Sequence, residues 1–147
     1  MNAMSSKQLE GCVAVITGAS LGIGRSTAIA MGRAGANVVV NYRSSEKEAQ
    51  QVVDVICESG AAAIKVQADV AEQSAVEHLV ESAVTEFGRL DIAVSNAAYS
   101  DRELYYEADM EGFRRTVDVT MWGAFYLMRA ASQQMIKQGE GGQITLV

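Results

Sequence analysis

Short apolar runs alternate with longer stretches of helical spacing along residues 12–147, and each helical stretch closes on a glycine. The first run joins its helix through a glycine-punctuated turn. This rhythm predicts an α/β fold: a doubly wound parallel sheet of five strands. Strand–helix alternation with right-handed crossovers is the arrangement that covers both faces of such a sheet.

The elements follow in order. Residues 1–10 form a loose leader. Residues 12–16 (CVAVI) are a first strand, a continuous apolar run of the kind buried on both faces. A helix spans about residues 23–34 and stops at Gly35. Residues 37–41 (NVVVN) make the second strand. Ser45 and Glu48 stand in capping-box spacing before a helix whose Ala49, Val52, Val53, Ile56 and Cys57 share one face. Residues 61–66 make the third strand. Residues 71–87 form a helix and residues 90–94 the fourth strand. A long helix over 109–137 carries Phe113, Val117, Met121, Phe125, Met128, Ala131 and Met135 on its apolar face. Residues 143–147 (QITLV) make the fifth strand. The whole of 1–147 reads as one domain, with later strands and helices of the sheet missing.

Composition narrows the function. Hydrophobic residues are 49% and charged residues 20%, so the chain is globular. Net charge is −6 with no lysine or arginine cluster, which argues against nucleic acid or an anionic membrane as partner. Cys12 and Cys57 read as small hydrophobes, and with a single histidine, His78, no metal site is expected. His78 itself reads as solvated, and Tyr105, Tyr106 and Trp122 as buried packing or, alternatively, as the lining of a pocket or interface. The first eleven residues lack the apolar core of a signal peptide, and no run approaches membrane-spanning length. A cytoplasmic protein is expected.

In a doubly wound sheet the ligand sits beyond the carboxyl ends of the strands. Four stretches converge there. Beyond the first strand, Gly18, Ser20, Leu21, Gly22, Ile23 and Gly24 make a turn that opens a helix. Helix first turns offer unpaired N–H groups and a partial positive charge, and glycines let a pyrophosphate approach them. Beyond the second strand, Tyr42 stands where an acid ordinarily takes the ribose hydroxyls of NAD. Arg43 and Ser44 follow, and a guanidinium there suits a 2′-phosphate, favouring NADP over NAD. Beyond the third, Asp69 and Val70 offer a carboxylate to an adenine amino group, or equally a helix N-cap. Beyond the fourth, Asn96, Ala97 and Ala98 combine a donor–acceptor amide with small residues, or form an ordinary turn. Arg43 reads alternatively as a solvated cation at a helix entry. Glu46 is placed in the first turn of the next helix, complementing its dipole.

Together these features resemble the short-chain dehydrogenase/reductase family. TGASLGIG looks like its TGxxxGxG loop, Asp69-Val70 is similar to its adenine-contacting acid, and Asn96-Ala97-Ala98 is similar to its NNAG element. Ser95 departs from the first Asn of that element and Ala98 from its Gly. The resemblance implies a Rossmann-type fold, a nicotinamide cofactor and hydride transfer between a carbonyl and an alcohol. It also implies an Asn in the long helix, three residues before a glycine, that supports a proton relay. Thr120 stands at that place before Gly123. The family's proton donor is a Tyr in YxxxK spacing, preceded by a Ser. None of Tyr42, Tyr99, Tyr105, Tyr106 and Tyr126 is followed four residues later by Lys. No catalytic residue is therefore assigned.

The expected function is an NADP-binding, short-chain-type oxidoreductase chain without its Ser, Tyr and Lys. A non-catalytic dinucleotide-binding module and a non-functional truncated product are the alternatives. The long helix 109–137 offers a surface for homo-oligomerisation.

Overall fold

A computed structural model describes residues 7–147. Its sheet has five parallel strands in the order β3-β2-β1-β4-β5. In chain order the elements are β1 (Val13–Ile16), α1 (Gly22–Arg33), β2 (Asn37–Tyr42), α2 (Glu46–Glu58), β3 (Ala63–Gln67), α3 (Gln73–Phe87) and β4 (Ile92–Ser95). Then come α4 (Met110–Thr116), a π-helical turn (Val117–Trp122), α5 (Gly123–Gln138) and β5 (Gln143–Leu146). Strand order reverses about β1, so the crevice for a ligand lies between the loops after β1 and β4.

β1 shows why a continuous apolar run is needed at the centre. Val13 and Val15 join one buried cluster with α3 and α5, while Ala14 and Ile16 join another with α1 and α2. Strand side chains alternate between faces, so a strand covered on both sides must be apolar at every position. β2 repeats the pattern with Val39 on the first face and Val38 and Val40 on the second.

Several expectations change. The described part of the leader is docked, not loose: Leu9 N–H donates to Ala34 O at 2.9 Å, and Cys12 N–H to Leu9 O at 3.0 Å. Residues 1–6 lie outside the described residues. Ser45 is the N-cap of α2, but its side chain makes no capping bond; only its carbonyl accepts, from Ala49 N–H. Cys57 is exposed. Tyr105 and Tyr106 are exposed as well, at 92% and 68%, and so is Trp122, though its ring stacks on Tyr126. His78 is exposed, as expected. Glu46 opens α2, as expected, and pairs with Lys65 Nζ at 2.9 Å.

The long helix is interrupted by the π turn, and its buried face matches the expected one only at its end, at Ala131 and Met135. Phe113, Met121 and Phe125 are exposed, whereas Val119, Gly123, Leu127, Ala131 and Met135 are buried. Up to Phe125 and Leu127 both rows run at four-residue spacing, and they merge at Ala131, so periodicity alone does not separate them. The buried row carries the small residues that permit close approach. A Cβ on Gly123 would lie 2.8 Å from Val70 Cγ2, so the helix backbone rests directly on the turn after β3.

No described helix is long and apolar enough to cross a membrane.

Candidate functional site

Two asparagines fasten the turn after β1. Gly18 has φ +61, a conformation glycine adopts freely, and its N–H donates to Asn41 Oδ1 at 3.0 Å. Asn41 ends the apolar run of β2, and its own amide donates to Ala68 O at 3.1 Å, tying the β3 turn to the same point. From the other side, Asn96 Nδ2 donates to Thr17 O at 2.9 Å and Gly18 O at 3.1 Å. The Thr17 hydroxyl accepts from the N–H groups of Asn96 and Ala97 at 2.9 and 3.0 Å. Gly24 completes the fit. A Cβ there would sit on the Asn96 amide and 2.5 Å from Gly18 O.

The first turn of α1 is left open. Its N-cap, Leu21, is extended and no side chain caps the helix, so its leading N–H groups have no side-chain partner. Leu21 and Ile23 flank this entrance, both more than half exposed.

A cleft of 330 Å³ lies at the carboxyl ends of the strands. It gathers Gly18, Ser20, Arg43, Ser44, Asp69, Val70, Asn96, Ala97 and Ala98, all of them expected from sequence. Leu21, Gly22, Ile23 and Gly24 do not line it; they form and support the helix entrance beside it. Tyr42 is absent from it too. Its ring is buried in the α1–α2 side of the core, so Arg43, Ser44 and Ser45 face the cleft after β2. The Arg43 guanidinium takes part in no ion pair among the described residues, while its carbonyl accepts from Gln67 Nε2 at 2.9 Å.

Asn41, Arg115 and Val119 also line the cleft and were not anticipated. Asn41 had a legible signal: an amide closing an apolar strand. Arg115 had none, because it comes from 46 residues beyond its partner. Its Nη2 lies 2.6 Å from Asp69 Oδ2, and Asp69 Oδ1 accepts from Ala71 N–H at 3.0 Å. Asp69 does not cap α3, whose N-cap is Glu72. Burial raises the Asp69 carboxyl, but the Ala71 N–H and the Arg115 guanidinium outweigh it, with Arg43 adding to them. The carboxyl therefore lies below its ordinary value.

Thr120, within the π turn, exchanges hydrogen bonds with Tyr99 of the loop after β4. Its Oγ1 donates to Tyr99 O at 3.3 Å and accepts from Tyr99 N–H at 3.4 Å.

A doubly wound sheet with an open helix N-terminus and a polar cleft at its switch point defines a dinucleotide-binding class of fold. The chain belongs to the short-chain dehydrogenase family, whose model matches residues 12–147. That family consists of oxidoreductases that use NAD or NADP. An L-rhamnose 1-dehydrogenase (NAD(P)(+)) from a Sphingomonas species is 40% identical over 96% of this chain and 56% of its own length. A 3-oxoacyl-[acyl-carrier-protein] reductase from Synechocystis is 38% identical over 91% of this chain and 54% of its own. A short-chain type dehydrogenase/reductase from Mycobacterium marinum superposes with a TM-score of 0.91 at 36% identity, covering 99% of this chain and 59% of that one. The chain thus spans about half the length of the curated relatives it matches.

Proposed function

We propose that these 147 residues are the dinucleotide-binding half of a cytoplasmic, NADP(H)-preferring oxidoreductase acting on a carbonyl/alcohol pair. The observation that carries the NADP preference is Arg43: a guanidinium unpaired among the described residues, beside Ser44 and Ser45, at the strand end where no carboxylate faces the cleft. A carboxylate there would repel a 2′-phosphate, whereas a guanidinium binds it through paired charged hydrogen bonds.

The residues present suit the group. The uncapped first turn of α1 presents N–H donors for a pyrophosphate, Asp69 presents acceptors for an amino group, and Ala97 and Ala98 leave the loop after β4 shallow. When bound, the dinucleotide supplies or accepts the hydride. The chain's own residues bind and orient it: Asn41 and Asn96 hold the loop, and Arg43 selects the phosphorylated ribose. The acid–base residues come from outside these positions, since no YxxxK pair occurs among them. General acid–base help of this kind is worth ~10²–10⁴ in rate.

Calorimetric titration with NADPH and NADH tests the reading. NADPH should bind at least about tenfold more tightly, and Arg43→Ala should abolish that preference while leaving NADH unchanged. Equal affinities in the wild type, or a preference that survives the substitution, would overturn the NADP assignment.

A further inference from the structure

The row of α4–α5 residues that faces the core does not end at Val119. One further step of four reaches Arg115, at the mouth of the cleft. Gly123 brings the helix against Val70, with a would-be Cβ only 3.1 Å from Val70 O. Val119 is buried and lines the cleft. The same line of approach carries the Arg115 guanidinium to Asp69, one residue before Val70 in the same turn.

We propose that Arg115 is the positioning residue for Asp69, fixing its carboxylate as an acceptor so that the site takes a 6-amino purine and rejects a 6-oxo purine. The inference rests on the dinucleotide reading above and extends it to base selection.

The geometry supplies the reason. Asp69 is gripped at both oxygens, by Ala71 N–H on Oδ1 and by Arg115 Nη2 on Oδ2. Two anchors on different oxygens fix the plane of the carboxylate. An ionised carboxylate has about four lone-pair sites, so each oxygen retains capacity toward the cleft. That capacity is for accepting only. A 6-amino group donates to it, while a 6-oxo group meets it as a second acceptor and is repelled. The Asp69 side chain is 32% exposed, so it is reachable from the cleft while held. Without Arg115 the Oδ2 anchor is lost, and the carboxyl is free to turn or to take a proton and donate to a 6-oxo group. Arg43 makes no ion pair with Asp69, so among the described residues the Oδ2 anchor is Arg115 alone.

The test titrates the full chain with NADPH and with reduced nicotinamide hypoxanthine dinucleotide phosphate. The wild type should favour NADPH by about tenfold, the scale of one charge-assisted hydrogen bond. Arg115→Gln should lower that ratio below about threefold, and Arg115→Lys should restore most of it. On an Asp69→Asn background, Arg115→Gln should change the ratio no further, since it acts through Asp69. A wild-type ratio in Arg115→Gln, or a further change on the Asp69→Asn background, overturns the inference alone. If Arg115→Gln does not fold, Asp69→Asn with Arg115 intact carries the test, and an unaltered ratio there overturns it. No saturable binding of either dinucleotide by the wild type overturns the underlying reading as well.

Discussion

The two ends of the sheet are cross-linked equally well but to different purposes. At the amino end, Asp91 Oδ2 accepts from Val13 N–H at 2.8 Å. Arg89 holds Asp91 and Glu140 at once, with both contacts at 2.6 Å. Gln138 spans Leu90, accepting its N–H at 3.1 Å and donating to its carbonyl at 2.7 Å. Each of these charges has found a partner. At the carboxyl end, Asn41 and Asn96 do comparable stitching, yet the Arg43 guanidinium and the first turn of α1 are left without side-chain partners among the described residues. The difference separates a face built for stability from one that keeps donors in reserve. Unspent hydrogen-bonding capacity on a rigid frame is what a ligand site requires.

Substitutions can break that contrast. The largest effect belongs to the amino end. Asp91→Ala leaves the buried Val13 N–H without an acceptor and Arg89 without its first partner, and should cost about 3 kcal/mol in chemical denaturation. Dinucleotide affinity of the folded fraction should not change; a loss there would mean that the two ends are not independent. Asn96→Ala comes next, at about 2 kcal/mol, because the carbonyls of Thr17 and Gly18 lose their donor. Unlike the first, it should also weaken NADPH binding, and a variant that merely lost stability would remove Asn96 from the site.

The smallest effect is a pH dependence. The folded Asp69 carboxyl lies below its ordinary value of 3.8. The unfolded chain therefore binds more protons in acid, and the stability that Asp69 contributes is complete above that value and lost as pH falls through the folded value. Between pH 5 and pH 3 the wild type should lose more unfolding free energy than Asp69→Asn. The excess should stay under about 1 kcal/mol, since both partners of the pair are partly exposed. Identical losses in the two proteins would show that the Arg115 contact does not perturb Asp69.

Much of this architecture was legible in the sequence, and the reasons are local. β1 is apolar at every position because both its faces are covered, and the turn after it announces itself through glycines whose conformation or clearance no other residue supplies. Arg43, Ser44, Asp69 and Asn96 could be placed because a doubly wound fold fixes where each strand ends. What could not be read depended on distant approach. The apolar rows of α4–α5 look alike in spacing, and the decisive residue, Gly123, carries no hydrophobic signal. Tyr105 and Tyr106 read as buried on residue type alone, yet no described element covers them. Tyr42 stood at the expected ribose position, but strand alternation turns its ring into the core.

The clasp of Asn96 on Thr17 and Gly18 also bears on when the turn after β1 takes its final shape. Its hydrogen bonds join positions 78 and 79 residues apart, among the most widely separated in the chain. Closing so long a loop is entropically costly and is repaid only once β4 has docked beside β1. The turn after β1 is thus encoded early in the chain but fastened only by a strand made some 80 residues later.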